Sequence, residues 1–147
     1  MHHQISRAPL SLSKLEEIIQ NKATLSLSEE AKREIQICRD YLDQKAPQAP
    51  QPIYGVNTGF GSLYNVTVSH EQLAQLQYNL IISHACGTGE EVPQEIIPYM
   101  LFLKIQSLSY GHSGVSVSTV ERLIDFFNQG IYLSLIHISE PTRRYAI

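Results

Sequence analysis

The sequence predicts an all-α protein, and three observations carry that prediction. Four tetrads, Ser13-Lys-Leu-Glu16, Ser26-Leu-Ser-Glu29, Ser69-His-Glu-Gln72 and Ser118-Thr-Val-Glu121, each precede apolar residues at helical spacing. A serine followed three residues later by Glu or Gln is the mark of a capped helix start, because each side chain satisfies an N–H that the first turn leaves open. Gly87, Gly111, Gly130 and a proline-rich stretch fall where those periodic runs end. No convincing alternating strand is present.

Taken in order, His2-His3 reads as a pair of frayed, solvated side chains at a chain terminus and not as a metal site. Leu12, Leu15, Ile18 and Ile19 then mark one face of a first helix, opened by the box at Ser13. In a second helix, opened by the box at Ser26, Ala31, Ile35, Cys38 and Leu42 form the apolar stripe. Its other side carries Glu30, Lys32, Arg33 and Glu34 and reads as a solvated face. Lys45-Ala-Pro-Gln-Ala-Pro-Gln-Pro52 cannot continue a helix, since proline lacks the N–H and disfavours helical geometry in the residue before it. It reads as an extended, polyproline-like connector.

Beyond it, the box at Ser69 opens a helix with Leu73, Leu76, Leu80 and Ile81, ending near Gly87. Pro93 fits the first turn of a further helix, its φ already suitable. That helix carries Ile96, Ile97, Met100, Leu101, Leu103, Ile105 and Leu108 nearly all round it, ending at Gly111. Such a helix belongs in a core or between subunits, and left uncovered it invites aggregation. A last helix, opened at Ser118, carries Leu123, Ile124, Phe126 and Phe127 and stops at Gly130.

With 147 residues the chain is one domain's worth and can bury a real core. Its net charge of −3 and pI near 6.0 give no support for binding nucleic acid or a membrane surface. Cys38 and Cys86 make no Cys-x-x-Cys pair, and no signal peptide is recognisable, so a cytoplasmic location with reduced thiols is expected. The longest apolar run, Met100-Leu-Phe-Leu103, is too short to span a bilayer. No His/Cys/Asp/Glu group has metal-ligand spacing.

The stretch Tyr54-Gly-Val-Asn-Thr-Gly-Phe-Gly61 stands out, with glycines at 55, 59 and 61 that permit φ > 0 and close approach of backbone. By itself a Gly-rich turn carrying a tyrosine is an ordinary surface feature. It is not a phosphate cradle, because Gly59-Phe-Gly61 is not followed by Gly-Lys-Ser/Thr and no strand precedes it. Two later blocks change its weight: LQYNLIISHACGTGE over 76–90 and LKIQSLSYGHSG over 103–114. In this order and spacing the three blocks resemble the N-terminal part of the aromatic amino-acid ammonia-lyases, most of all the histidine-type enzymes. The resemblance covers roughly residues 10–132.

It implies the N-terminal helical portion of the ammonia-lyase (fumarase/aspartase-like) fold, with Tyr54 on a Gly-rich loop. It further implies elimination of ammonia from an amino acid, L-histidine to urocanate, with Tyr54 taking the β-proton. A phenol ionises near pH ~10, so it acts as a base near neutrality only where its surroundings favour the phenolate. The resemblance sets His84 against the substrate ring, where a polar residue suits an imidazole or phenol, and Asn79 one turn earlier in support. Gly55, Asn57, Gly59 and Gly61 take loop-shaping roles, Gly59 and Gly61 letting the loop close over the substrate and Asn57 hydrogen-bonding within it. The remaining tyrosines, Tyr64, Tyr78, Tyr99, Tyr110 and Tyr132, read as packing or surface residues, and His112 as structural. The family makes its electrophile, a methylidene-imidazolone, by cyclising an Ala-Ser-Gly triplet, needs no metal, and works as a homotetramer on a small-molecule amino acid.

From Leu133 the character changes. Leu-Ser-Leu-Ile-His-Ile-Ser-Glu-Pro-Thr-Arg143 matches the conceptual translation of a transposase-type sequencing adapter, so residues 1–132 are expected to be a truncated part of the lyase domain and 133–147 an artefactual tail. The chain contains no Ala-Ser-Gly triplet, and alone it is expected to be inactive. A tyrosine ammonia-lyase or an aminomutase would keep the same loop and the same His84. A non-catalytic helical interaction domain is the alternative of another class.

Overall fold

The computed structural model describes residues 1–49, 51–54, 56–58, 68–84, 90 and 92–132, the side chains of His70 and His84 excepted. The expectations for Gly55, Gly59, Gly61, Tyr64, Cys86, Gly87, the His84 side chain and the 133–147 tail fall outside the described residues. The described chain forms strand β1 (His2–Ile5), helix α1 (Leu12–Gln20), strand β2 (Thr24–Leu27) and helices α2 (Glu29–Lys45), α3 (Leu73–His84), α4 (Ile97–Ser109) and α5 (Val117–Asn128). The predominantly helical class read from the sequence is the one observed, in two compact units. Among described residues these are 1–42 with 93–132, and 43–92.

The first unit adds what the sequence reading did not contain, a two-stranded parallel sheet. His2 pairs with Thr24 and Ile5 with Leu27, and α1 makes the crossover that parallel strands require. The N-terminal histidines are therefore not frayed. His2 Nε2 lies 3.0 Å from Ser26 Oγ, and the half-buried His3 ring meets Phe102 at a centroid distance of 5.9 Å. Burial, then the charge of Lys14, lowers the His3 pKa from its ordinary value. In β2, Leu25 and Leu27 point inward while Thr24 is exposed, a period-2 pattern only four residues long. A pattern that short is hidden when Ser26 is assigned to a helix cap.

The helices start where serines cap them, but at different serines from those expected. Ser11, not Ser13, accepts the Lys14 N–H at 3.2 Å, and Ser116, not Ser118, accepts the Thr119 N–H at 3.3 Å. Ser28, not Ser26, caps α2 through the Ala31 N–H at 3.1 Å. The physical reason at Ser11 and Ser116 is the apolar residue on each side of the cap. Leu10 with the buried Leu15, and Val115 with the buried Val120, occupy the N′ and N4 positions of a hydrophobic staple, and all four belong to the core or pack on it. Caps at Ser13 or Ser118 would put Glu17 or Arg122 at N4 instead. Pro93 likewise precedes the helix it was expected to open. Pro98 sits in the first turn of α4, and Pro93 C=O accepts the Ile96 N–H just before it.

Two helix ends, those of α4 and α5, fall at the expected glycines. Gly111 (φ +71°) follows α4, and Gly130 (φ +65°) follows α5, where Gly130 N–H donates to Phe127 C=O and Ile131 N–H to Phe126 C=O. That pair of bonds is a Schellman motif, which satisfies carbonyls the helix leaves open. The core gathers Ile5, Ile18, Leu25, Ile35, Phe102, Ile105 and Phe127 among others. Phe102, wholly buried and edge-on to Phe127 at 6.2 Å, contributes roughly 2–3 kcal/mol by burial alone. Asn128 ties α5 to the sheet: its Oδ1 accepts the Leu25 N–H at 2.7 Å and its Nδ2 donates to Leu25 C=O at 2.9 Å. The charged face of α2 is not wholly solvated either. Lys32 Nζ reaches Glu121 of α5 at 3.3 Å, and that bond, ahead of the charge of Glu29, raises its pKa.

Candidate functional site

The second unit carries the residues singled out for chemistry. Its entry is not the extended connector expected throughout. Ala46–Gln48 is a 3-10 turn continuing from α2, with a proline at its start, and the chain becomes extended at Ala49 (φ −68°, ψ 120°). Proline's fixed φ suits a 3-10 turn as well as an extended chain.

Tyr54 follows in a tight, hydrogen-bonded turn. Ile53 C=O accepts the Val56 N–H at 3.1 Å and the Asn57 N–H at 3.2 Å. The Asn57 side chain closes the same turn from the other side, its Oδ1 accepting the Ile53 N–H at 2.8 Å. Asn57 C=O in turn accepts the Val68 N–H at 3.2 Å, so one residue joins the turn to the chain leading into α3. Tyr54 is 62% exposed and Thr58 wholly buried, so the turn presents the tyrosine outward on an anchored base.

Helix α3 begins behind a 3-10 turn, His70–Gln72, in which Gln72 N–H donates to Ser69 C=O at 2.9 Å. Asn79 is exposed, and its Oδ1 accepts from Gln75 Nε2 at 2.8 Å. His84 is the last residue of α3, at the helix end where a cation is favoured by the backbone dipole. Ser83 Oγ donates to Leu80 C=O at 3.0 Å. Tyr54, Asn57, Asn79 and His84 thus share one compact unit, two on the turn and two on the helix. The apolar residues of α3 are half-buried at Leu73, Leu76 and Leu80 and exposed at Tyr78, Ile81 and Ile82.

The first unit has a cleft of about 500 Å³ lined by Lys22, Glu95, Tyr99, Phe127, Asn128 and Tyr132 among others. None of the residues expected to carry chemistry lines it. Tyr132 packs edge-on against Phe127 at 6.2 Å, and burial raises its pKa. Among the described residues no three His, Cys, Asp or Glu side chains are grouped to hold a metal ion, and no helix is long and apolar enough to cross a membrane.

Comparison with known proteins gives this arrangement its class. The model of the aromatic amino acid lyase family matches residues 10–136. The histidine ammonia-lyase of Deinococcus radiodurans is 45% identical over 119 residues, which is 81% of this chain and 22% of that enzyme. Among solved structures, ergothionase, the ergothioneine-degrading enzyme of Treponema denticola, superposes with a TM-score of 0.84 at 26% identity over 91% of this chain and 27% of its own. The histidine ammonia-lyase of Trypanosoma cruzi superposes at 0.73 with 32% identity, over 87% of this chain and 25% of its own. The chain belongs to the aromatic amino acid lyase family. It spans about a quarter of the length of these relatives.

Proposed function

We propose that this chain is the N-terminal part of an ammonia-lyase that converts L-histidine to urocanate and ammonia. The observation that carries the reading is the 45% identity to a histidine ammonia-lyase over a segment that includes the Tyr54 turn and α3. In the reaction Tyr54 accepts a β-proton through its phenolate oxygen, the Cα–N bond breaks with its electrons leaving on the amine, and a Cα–Cβ double bond forms. Tyr54's exposure on an anchored turn suits a group that must meet a substrate. His84, at the end of α3, contacts the imidazole of the substrate, and Asn79 supports it. Gly55, Gly59 and Gly61 shape the loop that follows.

The electrophile that activates the amine in this family is made from Ala-Ser-Gly. No such triplet occurs in the 147 residues, so no residue of this chain forms the group. It would be supplied by a segment outside this sequence, and the chain by itself is proposed to be inactive. The full-length enzyme is proposed to be a cytoplasmic homotetramer. Residues 1–132 are proposed as its truncated domain and 133–147 as translated adapter; the family match ends at 136, just inside that segment.

The test begins with the gene, re-read beyond the Tyr132 codon without adapter-dependent chemistry. An Ala-Ser-Gly codon triplet shortly downstream is expected, and a genomic reading frame that encodes the 133–147 tail and stops would end the lyase reading. The full-length enzyme is then given L-histidine, L-tyrosine and a Tyr54→Phe variant. Urocanate from the first, with turnover lost in the variant, is expected. Coumarate or a β-amino acid would make it a tyrosine ammonia-lyase or an aminomutase, and no product would favour a non-catalytic domain.

A further inference from the structure

We infer that Asn57 is the positioning residue for Tyr54, acting through Ile53; this rests on the reading of Tyr54 as the group that takes the proton. Tyr54 follows directly on Ile53, and Ile53 is held on both of its main-chain polar groups by the residue four positions on. Its N–H donates to Asn57 Oδ1 at 2.8 Å, and its C=O accepts the Asn57 N–H at 3.2 Å. The two bonds hold the residue directly before the tyrosine, and through it the start of the tyrosine's own backbone. Asn57 also closes on the far side, its C=O accepting from Val68, and Thr58 beside it is wholly buried. The base of the turn is therefore tied at three points while the phenol stands outward.

Asparagine is suited to this task because its carboxamide oxygen accepts a main-chain N–H at short range while its own backbone continues the turn. Ile53 is half-buried, its N–H lies at the end of a proline-rich stretch, and it belongs to no strand or helix among the described residues, so Asn57 Oδ1 serves as its acceptor. A proton acceptor misplaced by an ångström costs up to about 100-fold in rate, since proton transfer needs hydrogen-bond contact in the reacting geometry. Asn57 itself touches no substrate in this scheme, so its loss falls on kcat and leaves KM alone.

The test uses Asn57→Ala and Asn57→Asp in the full-length lyase, with amide hydrogen exchange at Ile53 measured in the same proteins. The expected result for Asn57→Ala is a fall in kcat of about 10- to 100-fold with KM within about twofold, and faster exchange at Ile53. Asn57→Asp keeps an acceptor oxygen and is expected to restore both protection and most of kcat. The proposal is overturned if Ile53 exchange accelerates in Asn57→Ala while kcat stays unchanged. It is equally overturned if the Ile53 amide of the unaltered protein exchanges at the rate of an open chain, a measurement that does not depend on any variant folding. Tyr54→Phe separates the two ideas. If that variant retains full turnover, the tyrosine is not the base; if it is dead while Asn57→Ala is unaffected, only the positioning role fails.

Discussion

Replacing Asn128 by alanine tests how the fold of the first unit is held. Leu25 is 3% exposed on β2, and its N–H and C=O face α5, where the Asn128 carboxamide meets both at 2.7 and 2.9 Å. Alanine leaves one buried donor and one buried acceptor without those partners. Each orphaned group costs about 1–3 kcal/mol. Asn128 and Ala23 also line the cleft, from which water can reach the strand edge and recover part of that loss. The expected destabilisation is about 2–4 kcal/mol, the lower half of the summed range of about 2–6 kcal/mol. With a urea m-value of about 1–3 kcal/mol/M, the midpoint falls by about 0.7–4 M when helical circular dichroism is followed through the transition. Asn128→Asp refines the test, because a carboxylate still accepts the Leu25 N–H but presents only acceptors to the Leu25 C=O. Its deficit should be larger at neutral pH than in acid, where a protonated carboxyl can donate again. A midpoint shift equivalent to less than about 0.5 kcal/mol for Asn128→Ala, the size of an ordinary surface substitution, would refute the reasoning.

Two further outcomes are expected. Gly111→Ala combines a left-handed φ of +71° with a Cβ placed 2.7 Å from the Glu34 carbonyl of α2, so about 2–5 kcal/mol is lost. Gly130→Ala, at φ +65° in open space, should cost only the strain, about 1–2 kcal/mol, and equal urea midpoints for the two would remove the close approach from the account. His3 sets a pH dependence: its folded pKa lies below its ordinary value because of burial, so the unfolded chain binds the proton more readily. That contribution is complete above the unfolded pKa of about 6.5 and is lost as pH falls from there through the folded pKa. His3→Gln should flatten the decline in stability as pH falls below about 6.5, measured by urea titration; an unchanged slope would locate the titrating group elsewhere.

The candidate site was legible in unequal parts. The order of three sequence blocks led to the family, and the position of His84 at a helix end followed from the periodic run before it. Asn57 was readable as a loop residue but not as the acceptor for Ile53, because the partner of a side-chain oxygen depends on the φ and ψ of the residues between. The staples at Leu10/Leu15 and Val115/Val120 were present in the sequence and would have moved two helix starts to the right serines. Those starts are a local matter, settled by residues within one turn of each other.

What the sequence by itself determined is therefore the set of helices, most of the apolar positions that pack, the glycines that follow α4 and α5, and the family. The sheet was decided by tertiary structure alone. His2–Ile5 and Thr24–Leu27 are each four residues long, and neither has enough local preference to form a strand unaided. They exist because each supplies the other's hydrogen-bond partners across α1, and because Asn128, 103 residues away, completes the bonding of Leu25. Helical bonds close within four residues and so leave a long periodic trace in the sequence; these bonds join distant segments, and strands of four residues leave a period-2 trace too short to read.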